Sequence, residues 1–241
     1  MLRWLRQRRR EPEVLDQPWL DAEHRVAALR GLARLNALSR SSDILWKPIR
    51  ALARRTGSAH LSVLDLGAGG GDVAIRLCHR AKRRGLNLHV TGYDFSPVTV
   101  EHAQRRATRQ GASATFAVRD VFNEPIDGSF DVVMSSLFLH HQDEPQAVEL
   151  LRRMAKSARK LVLVNDLLRS TACYAAVKLA CRLVSCSKVV HHDGPRSVEA
   201  AFRIDEVRRL CEQAGLHGAR IGRAWPFRFL LSWEPSVDAI A

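Results

Sequence analysis

Hydrophobic positions along the chain follow two spacings in turn, and their alternation predicts an α/β fold. Short apolar runs such as SVLDLG, LHVTGYD and FDVVMSSLF are typical of strands that are buried on both faces. Between these runs, apolar residues recur three or four positions apart, as at Ala74, Leu77 and Ala81, which indicates helices. This order of strand, helix and strand predicts a parallel sheet covered by helices.

The regular alternation is preceded by a helical pattern and is interrupted after the fifth strand. Residues 18–60 predict an N-terminal helical arm, in which Asp43 caps a second helix. Residues 168–203 predict a helical insertion, in which a long helix is followed by the polar loop segment HHDGPRS, residues 191–197. The runs GARIGRAW and FRFLLSW then predict a hairpin. The expected fold is a Rossmann-like, seven-stranded, mostly parallel sheet with an antiparallel C-terminal hairpin.

Charge changes this picture mainly at the N-terminus. The net charge is +13, and the first ten residues read MLRWLRQRRR. Residues 1–17 predict a mobile basic segment, which we interpret as solvated surface. A second interpretation is peripheral contact with an anionic membrane, in which Leu2, Trp4 and Leu5 form the apolar side. No stretch predicts a membrane-spanning helix or a signal peptide, and the five scattered cysteines favour a cytoplasmic protein without disulfides or zinc.

The stretch VLDLGAGGGD, residues 63–72, predicts a strand that ends in a glycine turn and opens a helix. Such a turn places a ligand at the carboxyl ends of parallel strands. A dinucleotide site would have glycine at position 72, where the chain has Asp72, and a phosphate-binding P-loop would continue with Gly-Lys-Ser/Thr. The turn therefore fits neither of these two kinds of nucleotide site.

With Asp65 two positions before the first glycine, the pattern D-x-G-x-G-G-G resembles the first motif of class I S-adenosylmethionine-dependent methyltransferases. The resemblance covers residues 61–167 closely and implies S-adenosylmethionine as the cofactor. It implies that Asp65 suits the ammonium group of the ligand or the network that holds it, and that Asp94, after the second strand, accepts the ribose hydroxyls. The cofactor-binding residues that it implies are Asp65, Gly67, Ala68, Gly69, Asp94, Phe95, Asp120, Val121 and Ser136.

The motif LHH after the fourth strand resembles the ubiquinone/menaquinone-biosynthesis type within the small-molecule branch, which includes phenolic and polyketide methyltransferases. A phenol has a pKa of about 10, so its methylation benefits from a base. His140, His141 and His192 are the candidate bases, and which of them serves stays open. The arm and the insertion, as cover and lid of a methyltransferase domain over 61–241, supply the candidate acceptor residues Asn36, Trp46, Asp166, Arg169, His191 and Asp193.

Other acceptors and cofactors fit the sequence less well. The position after the fourth strand lacks the Asp/Asn-Pro-Pro-aromatic and Pro-Cys signatures of base-modifying enzymes, which disfavours nucleic acid as a partner. The acidic pattern of metal-dependent catechol enzymes is absent as well, so no metal is expected. RNA methylation, with phosphates held by the basic arm, and a non-catalytic cofactor-binding pathway protein are the alternatives. The oligomeric state and the choice among O-, C- and N-methylation stay open.

Overall fold

The structure is a computed structural model that describes residues 3–235. Within this range seven strands form one sheet in the order β3-β2-β1-β4-β5-β7-β6. The strands β1 to β5 run parallel to one another, and β6 and β7 form an antiparallel hairpin whose strand β7 pairs with β5. The predicted α/β fold is therefore confirmed. The strands are β1 His60–Leu66, β2 Asn87–Asp94, β3 Ala114–Val118, β4 Phe130–Ser136, β5 Ala158–Leu167, β6 Arg220–Ala224 and β7 Arg228–Trp233.

Helices cover both faces of the sheet. Residues of α2 and α3 pack in one core with one sheet face, and residues of α5 and α8 pack in a second core with the other face. The helices are α1 Ala22–Leu38, α2 Ser41–Thr56, α3 Asp72–Lys82, α4 Pro97–Arg109, α5 Glu144–Ser157, α6 Thr171–Val184, α7 Lys188–Ala200 and α8 Ile204–Ala214. Among residues 3–235, none of the helices combines the length and apolar character that crossing a membrane requires.

Two local predictions in the helical segments are wrong. Asp43 does not cap α2, because the helix already begins at Ser41; its carboxylate instead pairs with Arg40 and Arg80. The polar segment 191–197 is not a loop but lies inside α7. Gly194 allows α7 to approach α6 so closely that a Cβ there would overlap the sulfur of Cys181. Packing against α6 therefore outweighs the helix-breaking preference of Gly-Pro.

Residues of the predicted mobile basic segment pack on the domain in this structure, and peripheral membrane contact through the segment stays a prediction. Leu5 is fully buried, while Leu2 lies outside the described residues. Arg8 donates from Nη2 to the carbonyls of His140 and Gln142 at 2.8 and 2.6 Å and from Nε to Ala200 O at 2.6 Å. We call residues 8–17 the strap. Its first arginine, Arg8, donates its hydrogen bonds to backbone carbonyls of the domain rather than to solvent.

Candidate active site

A cavity of about 620 Å³ opens at the carboxyl ends of the parallel strands. Its floor is the glycine turn between β1 and α3 together with residues at the ends of β2 and β4. Its volume is typical of small-molecule sites, which range from about 300 to 1,000 Å³. The arm and the insertion give it an apolar wall, which consists of Leu29, Leu32, Leu35, Leu38, Ala176, Val177, Ala180 and Cys181.

The glycine turn lies directly against this cavity. The amides of Gly67 and Ala68 both donate to the carbonyl of Tyr93, at 2.9 and 3.0 Å, which fixes the turn to the end of β2. Gly67 has φ +71°, and a Cβ at this position would overlap the ring of Phe138. Gly69 also has a positive φ, +52°, but open space lies beside it. A ligand can therefore approach the backbone at Gly69.

Asp94 ends β2 at the cavity, where the sequence places it. Its Oδ2 accepts from the amide of Gly69 at 3.0 Å, and its Oδ1 accepts from the amide of Ser96 at 3.0 Å. Burial raises the pKa of Asp94, although the two amides act in the opposite direction. The carboxylate is thus held rigidly, and each oxygen keeps a second lone pair for a ligand. Phe95 beside it is half exposed at the cavity.

Asp65 and Asp72 place two buried acids beneath the same turn. Asp65 Oδ1 and Asp72 Oδ2 have no hydrogen-bond partner among the described residues. Burial, and then the charges of Asp72 and Asp94, raise the pKa of Asp65 to about 8. Burial also raises the pKa of Asp72. Buried acceptors without partners are costly, so this corner of the cavity suits a cationic ligand group.

Asp120, Val121 and Ser136 complete the predicted cofactor residues, and all nine line the cavity. Asp120 accepts from the amide of Phe122 at 2.9 Å and from the side chain of Asn123 at 2.7 Å, and these bonds lower its pKa. Its carboxylate therefore also shapes its own loop. That these residues contact a cofactor stays a prediction.

His140 and His141 lie in a short 3-10 turn, Leu139–His141, and also line the cavity. His140 Nδ1 lies 2.7 Å from Asp166 Oδ1, and His141 Nδ1 lies 3.0 Å from Asp16 Oδ2. Their Nε2 atoms face the two carboxylate oxygens of Glu13, at 3.7 and 3.9 Å. Each imidazole is therefore held between two carboxylates, one of which always belongs to Glu13.

Protonation of this cluster follows from its charges. Burial opposes the charged form of His140, but Asp166 and Glu13 outweigh it and raise the pKa to about 10. The pKa of His141 is raised as well, because Glu13 and Asp16 outweigh its burial. Burial likewise opposes ionisation of Glu13, yet the two histidines bring its pKa down to about 2. At neutral pH Glu13 is therefore ionised and His140 is protonated, so His140 must first lose a proton to act as a base.

Glu13, His140 and His141 also form a group that could hold a metal ion. Their candidate ligand atoms lie within 4.8 Å of one another. Carboxylates such as Asp166 and Asp16 commonly orient histidine ligands by accepting their second N–H. The expected absence of a metal stays a prediction, which metal analysis of the purified protein tests.

Several predicted residues lie away from the cavity, which corrects their assignment to it. Of the candidate bases and acceptor residues, those that do not line it are Trp46, Asp166, Arg169, His191, His192 and Asp193. Trp46 faces the sheet as part of the core beneath α2. Arg169 is buried against Glu206, at 2.6 Å, and Asp166 lies behind His140.

The three insertion residues hold local structure instead. His191 Nε2 lies 2.6 Å from Ser185 O, and His192 Nδ1 lies 2.8 Å from Asp193 Oδ1. Asp193 also accepts the amides of Val14 and Leu15 at 3.0 and 2.9 Å. These bonds dock the strap on α7. Among the predicted acceptor residues, Asn36 does line the cavity.

Glu13 and Arg228 are among the charged cavity residues that sequence reasoning missed. Glu13 stands in a charged segment whose apolar Val14 and Leu15 were the available sign of packing. Arg228 shares the alternation of β7 with Leu230, so its period-two position already indicated an inward-facing charge.

Comparison with known proteins agrees with this geometry. Residues 63–160 match the family model of a methyltransferase domain. The chain is 34% identical over 129 residues to the demethylmenaquinone methyltransferase of Thermus thermophilus, and 31% identical over 134 residues to the 2-phytyl-1,4-naphtoquinone methyltransferase of Nostoc punctiforme. These matches cover 52% and 53% of this chain and 56% of each relative, so the chain spans just over half the length of its curated relatives.

Solved structures share the fold over most of the chain. The magnesium protoporphyrin IX methyltransferase of Synechocystis PCC 6803 superimposes with a TM-score of 0.55 at 17% identity, over 82% of this chain and 85% of that one. The S-adenosylmethionine-dependent methyltransferase SibL gives 0.62 at 18% identity, over 95% and 64%. Residues 63–160 of this chain thus match a methyltransferase domain, and the segments on both sides of it complete the cavity.

Proposed function

We propose that this chain is an S-adenosylmethionine-dependent methyltransferase whose acceptor is a small, phenolic or quinonoid molecule. One observation carries the proposal: a single cavity has both a polar floor, built on the glycine turn, and an apolar wall, built by α1 and α6. A methyl donor and an acceptor must meet in line for transfer. A shared cavity supplies that alignment, which is worth up to about 7–11 kcal/mol in favourable systems.

The floor fits the cofactor on observations made at its own residues. Asp94 presents a rigid carboxylate suited to two neighbouring hydroxyls, and Phe95 offers an apolar face beside it. The unpartnered oxygens of Asp65 and Asp72 suit an ammonium group, and open space at Gly69 admits the ligand to the backbone. When bound, S-adenosylmethionine supplies an electrophilic methyl group on its sulfonium.

The wall supports a flat, apolar acceptor. Its leucines and the small residues of α6 offer no hydrogen bonds from their side chains, so an apolar body gains most from burial there. Two curated relatives are named for methylation of demethylmenaquinone and of a phytyl naphthoquinone, and this supports a quinonoid ring. His140 and His141 adjoin the same space and stay the proposed bases, with Glu13 and Asp166 setting their protonation.

The strap and α7 would exclude water from the reacting centre. Glu13 and Asp16 of the strap line the cavity, and Asp193 fixes the strap through two backbone amides. Exclusion of water strengthens the electrostatic interactions inside the cavity and prevents hydrolysis.

Isothermal titration calorimetry with S-adenosylmethionine and S-adenosylhomocysteine tests the proposal. We expect both to bind, and Asp94→Ala to lose at least tenfold in affinity; the matched control is Asp127→Ala, whose side chain is 71% exposed. Release of S-adenosylhomocysteine is then measured with a panel of phenols and reduced quinones. Absence of binding by the wild type, or unchanged binding by Asp94→Ala, would refute the cofactor assignment. Turnover with RNA, lost steeply as salt rises, would favour RNA methylation instead.

A further inference from the structure

The opening of the cavity is bordered by exposed apolar side chains. Leu38 at the end of α1, and Trp225 and Phe227 in the turn between β6 and β7, line the cavity and are also exposed. A side chain that does both marks the place where the cavity meets the solvent. In addition, Leu179 and Leu183 are exposed on the outer face of α6, whose inner face belongs to the apolar wall. We call these five residues the rim.

Three contacts hold the parts of the rim next to one another. Arg228 Nη2 donates to Ser39 Oγ at 2.6 Å, which brings the β6–β7 turn to the end of α1. Cys173 Sγ donates to Phe227 O at 3.7 Å, which brings the same turn to the beginning of α6. The side chain of Arg34 donates to the carbonyl of the last residue of α6 at 2.7 Å and joins α1 to that end of the helix. The rim is therefore one surface, and a contiguous exposed apolar surface typically marks an interaction site.

The charge around the rim has a single sign. Residues 167–192, which include α6, and residues 213–233, which include the hairpin, contain no aspartate or glutamate. The exposed cations in these segments that lie within two positions of a rim residue are Lys178, Arg182 and Arg223. Lys178 and Arg182 each directly precede a rim leucine on α6. The surface thus combines apolar side chains with positive charge, as surfaces that bind the membrane interface do.

We propose that the rim is a docking surface for a bilayer with anionic headgroups, and that the cavity opens towards that bilayer. The rim side chains would enter the interface between headgroups and acyl chains, where tryptophan is favoured. Lys178 and Arg182 would pair with lipid phosphates. The proposal rests on the proposed function for its purpose, because an apolar acceptor dissolved in the bilayer would reach the apolar wall without crossing water.

Two other occupants fit the rim less well. In a symmetric pair of chains, the same surface of each copy meets, so the cations of one copy would face those of the other. A protein partner seated on the rim would close the cavity, because Leu38, Trp225 and Phe227 stand at its opening. A bilayer covers the rim and also supplies the molecule that enters.

Cosedimentation of the full chain with vesicles tests the proposal without knowledge of the acceptor. The vesicles contain phosphatidylcholine alone, or phosphatidylcholine and phosphatidylglycerol in equal parts. We expect binding to the anionic vesicles, and Trp225→Ser to bind them about tenfold more weakly than the wild type. The matched control is Trp19→Ser, because Trp19 is 69% exposed, as Trp225 is 74%, but lies at the opposite end of α1 from the rim.

A second pair of variants tests the cations. Lys178→Gln, Arg182→Gln should weaken binding to the anionic vesicles about 30-fold, as expected for two cations near an anionic surface. The control Lys82→Gln, Arg83→Gln removes the same charge at the end of α3 that is farthest from the cavity, and should bind nearly like the wild type. Thermal unfolding confirms that each variant is folded.

The other outcomes decide against the docking surface. Absence of binding by the wild type, equal affinity for both kinds of vesicle, or equal losses in a variant and its control would overturn it. A dimer in sedimentation equilibrium that dissociates in Trp225→Ser would assign the rim to a second copy of the chain. Calorimetry with S-adenosylhomocysteine on the same samples separates the two proposals, since failure of the wild type to bind this nucleoside overturns the proposed function and leaves the vesicle result unaffected.

Discussion

Glu13→Gln removes the carboxylate that both cavity histidines share, and its effect on stability can be worked out from the structure. The pKa of Glu13 falls from its ordinary 4.5 to about 2, because His141 and His140 stabilise its charged form. Each pKa unit corresponds to about 1.4 kcal/mol, so the ionised side chain contributes about 3 kcal/mol of folding free energy above pH 4.5. The glutamine variant loses this and leaves buried imidazolium charge uncompensated.

The pH dependence gives the prediction its sign. Because the pKa of Glu13 is lowered on folding, its ionised side chain stabilises the fold fully above pH 4.5, and this stabilisation is lost as pH falls towards 2. Because the pKa of His140 is raised on folding, its protonated imidazole stabilises the fold fully below pH 6.5, and this stabilisation is lost as pH rises towards 10. Together they predict that the stabilisation by this cluster is greatest between about pH 4.5 and 6.5.

Urea unfolding, followed by tryptophan fluorescence at a series of pH values, measures this difference. At pH 6 we expect Glu13→Gln to lower the free energy of unfolding by about 3 kcal/mol, with the gap narrowing towards pH 2 and pH 10. Glu149→Gln is the control, since Glu149 is 45% exposed and pairs with Arg153 on the surface of α5, where such a pair is worth about 0.5 kcal/mol. A loss below about 1 kcal/mol at pH 6, or parallel pH profiles, would refute the assigned coupling.

Three further predictions concern separate parts of the molecule. In thermal unfolding, Gly67→Ala should lower stability by about 2–5 kcal/mol, because the position has a positive φ and the added Cβ would overlap Phe138. The control is Gly85→Ala, since Gly85 also has φ +71° but open space around it. Equal losses in the two variants would contradict the overlap. Arg169→Met should lower the free energy of unfolding by about 3–5 kcal/mol, because it removes the ion-pair partner of Glu206, and should leave nucleoside affinity unchanged. A loss of nucleoside affinity without a loss of stability would instead support the predicted role of Arg169 in ligand binding. Metal analysis after purification without chelator should find no stoichiometric ion. A bound divalent ion that is lost in a His140→Ala, His141→Ala variant would assign it to the cluster with Glu13.

The fold and the residues of the cavity floor could be predicted from the sequence, because the patterns that indicate them lie within short segments. A buried strand, a glycine turn and a terminal acid lie within a few residues of one another, as Asp65 and Gly67 do, and the chain geometry brings them to one sheet edge. Helical spacing, by contrast, identifies the face that Trp46 shares with its neighbours but not the surface that this face meets, which is the sheet. Similarly, the polar sequence around His192 resembles a lid loop, but packing of α7 on α6 makes it a helix with His192 away from the cavity.

The residues that sequence reasoning missed depend on contacts between distant segments. Glu13 reaches His140 across more than 120 positions, and Arg228 reaches Ser39 across 189. No periodicity within one segment reports such a meeting. Only the unusual placing of a charge among apolar neighbours, as for Arg228 in FRFLLSW, could have drawn attention to it.

The apolar wall of the cavity lies entirely outside the segment that matches the methyltransferase family, since Leu29 to Leu38 precede residue 63 and Ala176 to Cys181 follow residue 160. Under the proposed function, divergence in these two flanking segments would change which molecule is methylated while the matched core stays the same. On the same proposal, relatives grouped by that core alone would share a methyl donor and differ in acceptor. To group such relatives by acceptor, one must compare the sequences of the arm and the insertion, where substitutions that suit a new acceptor would occur.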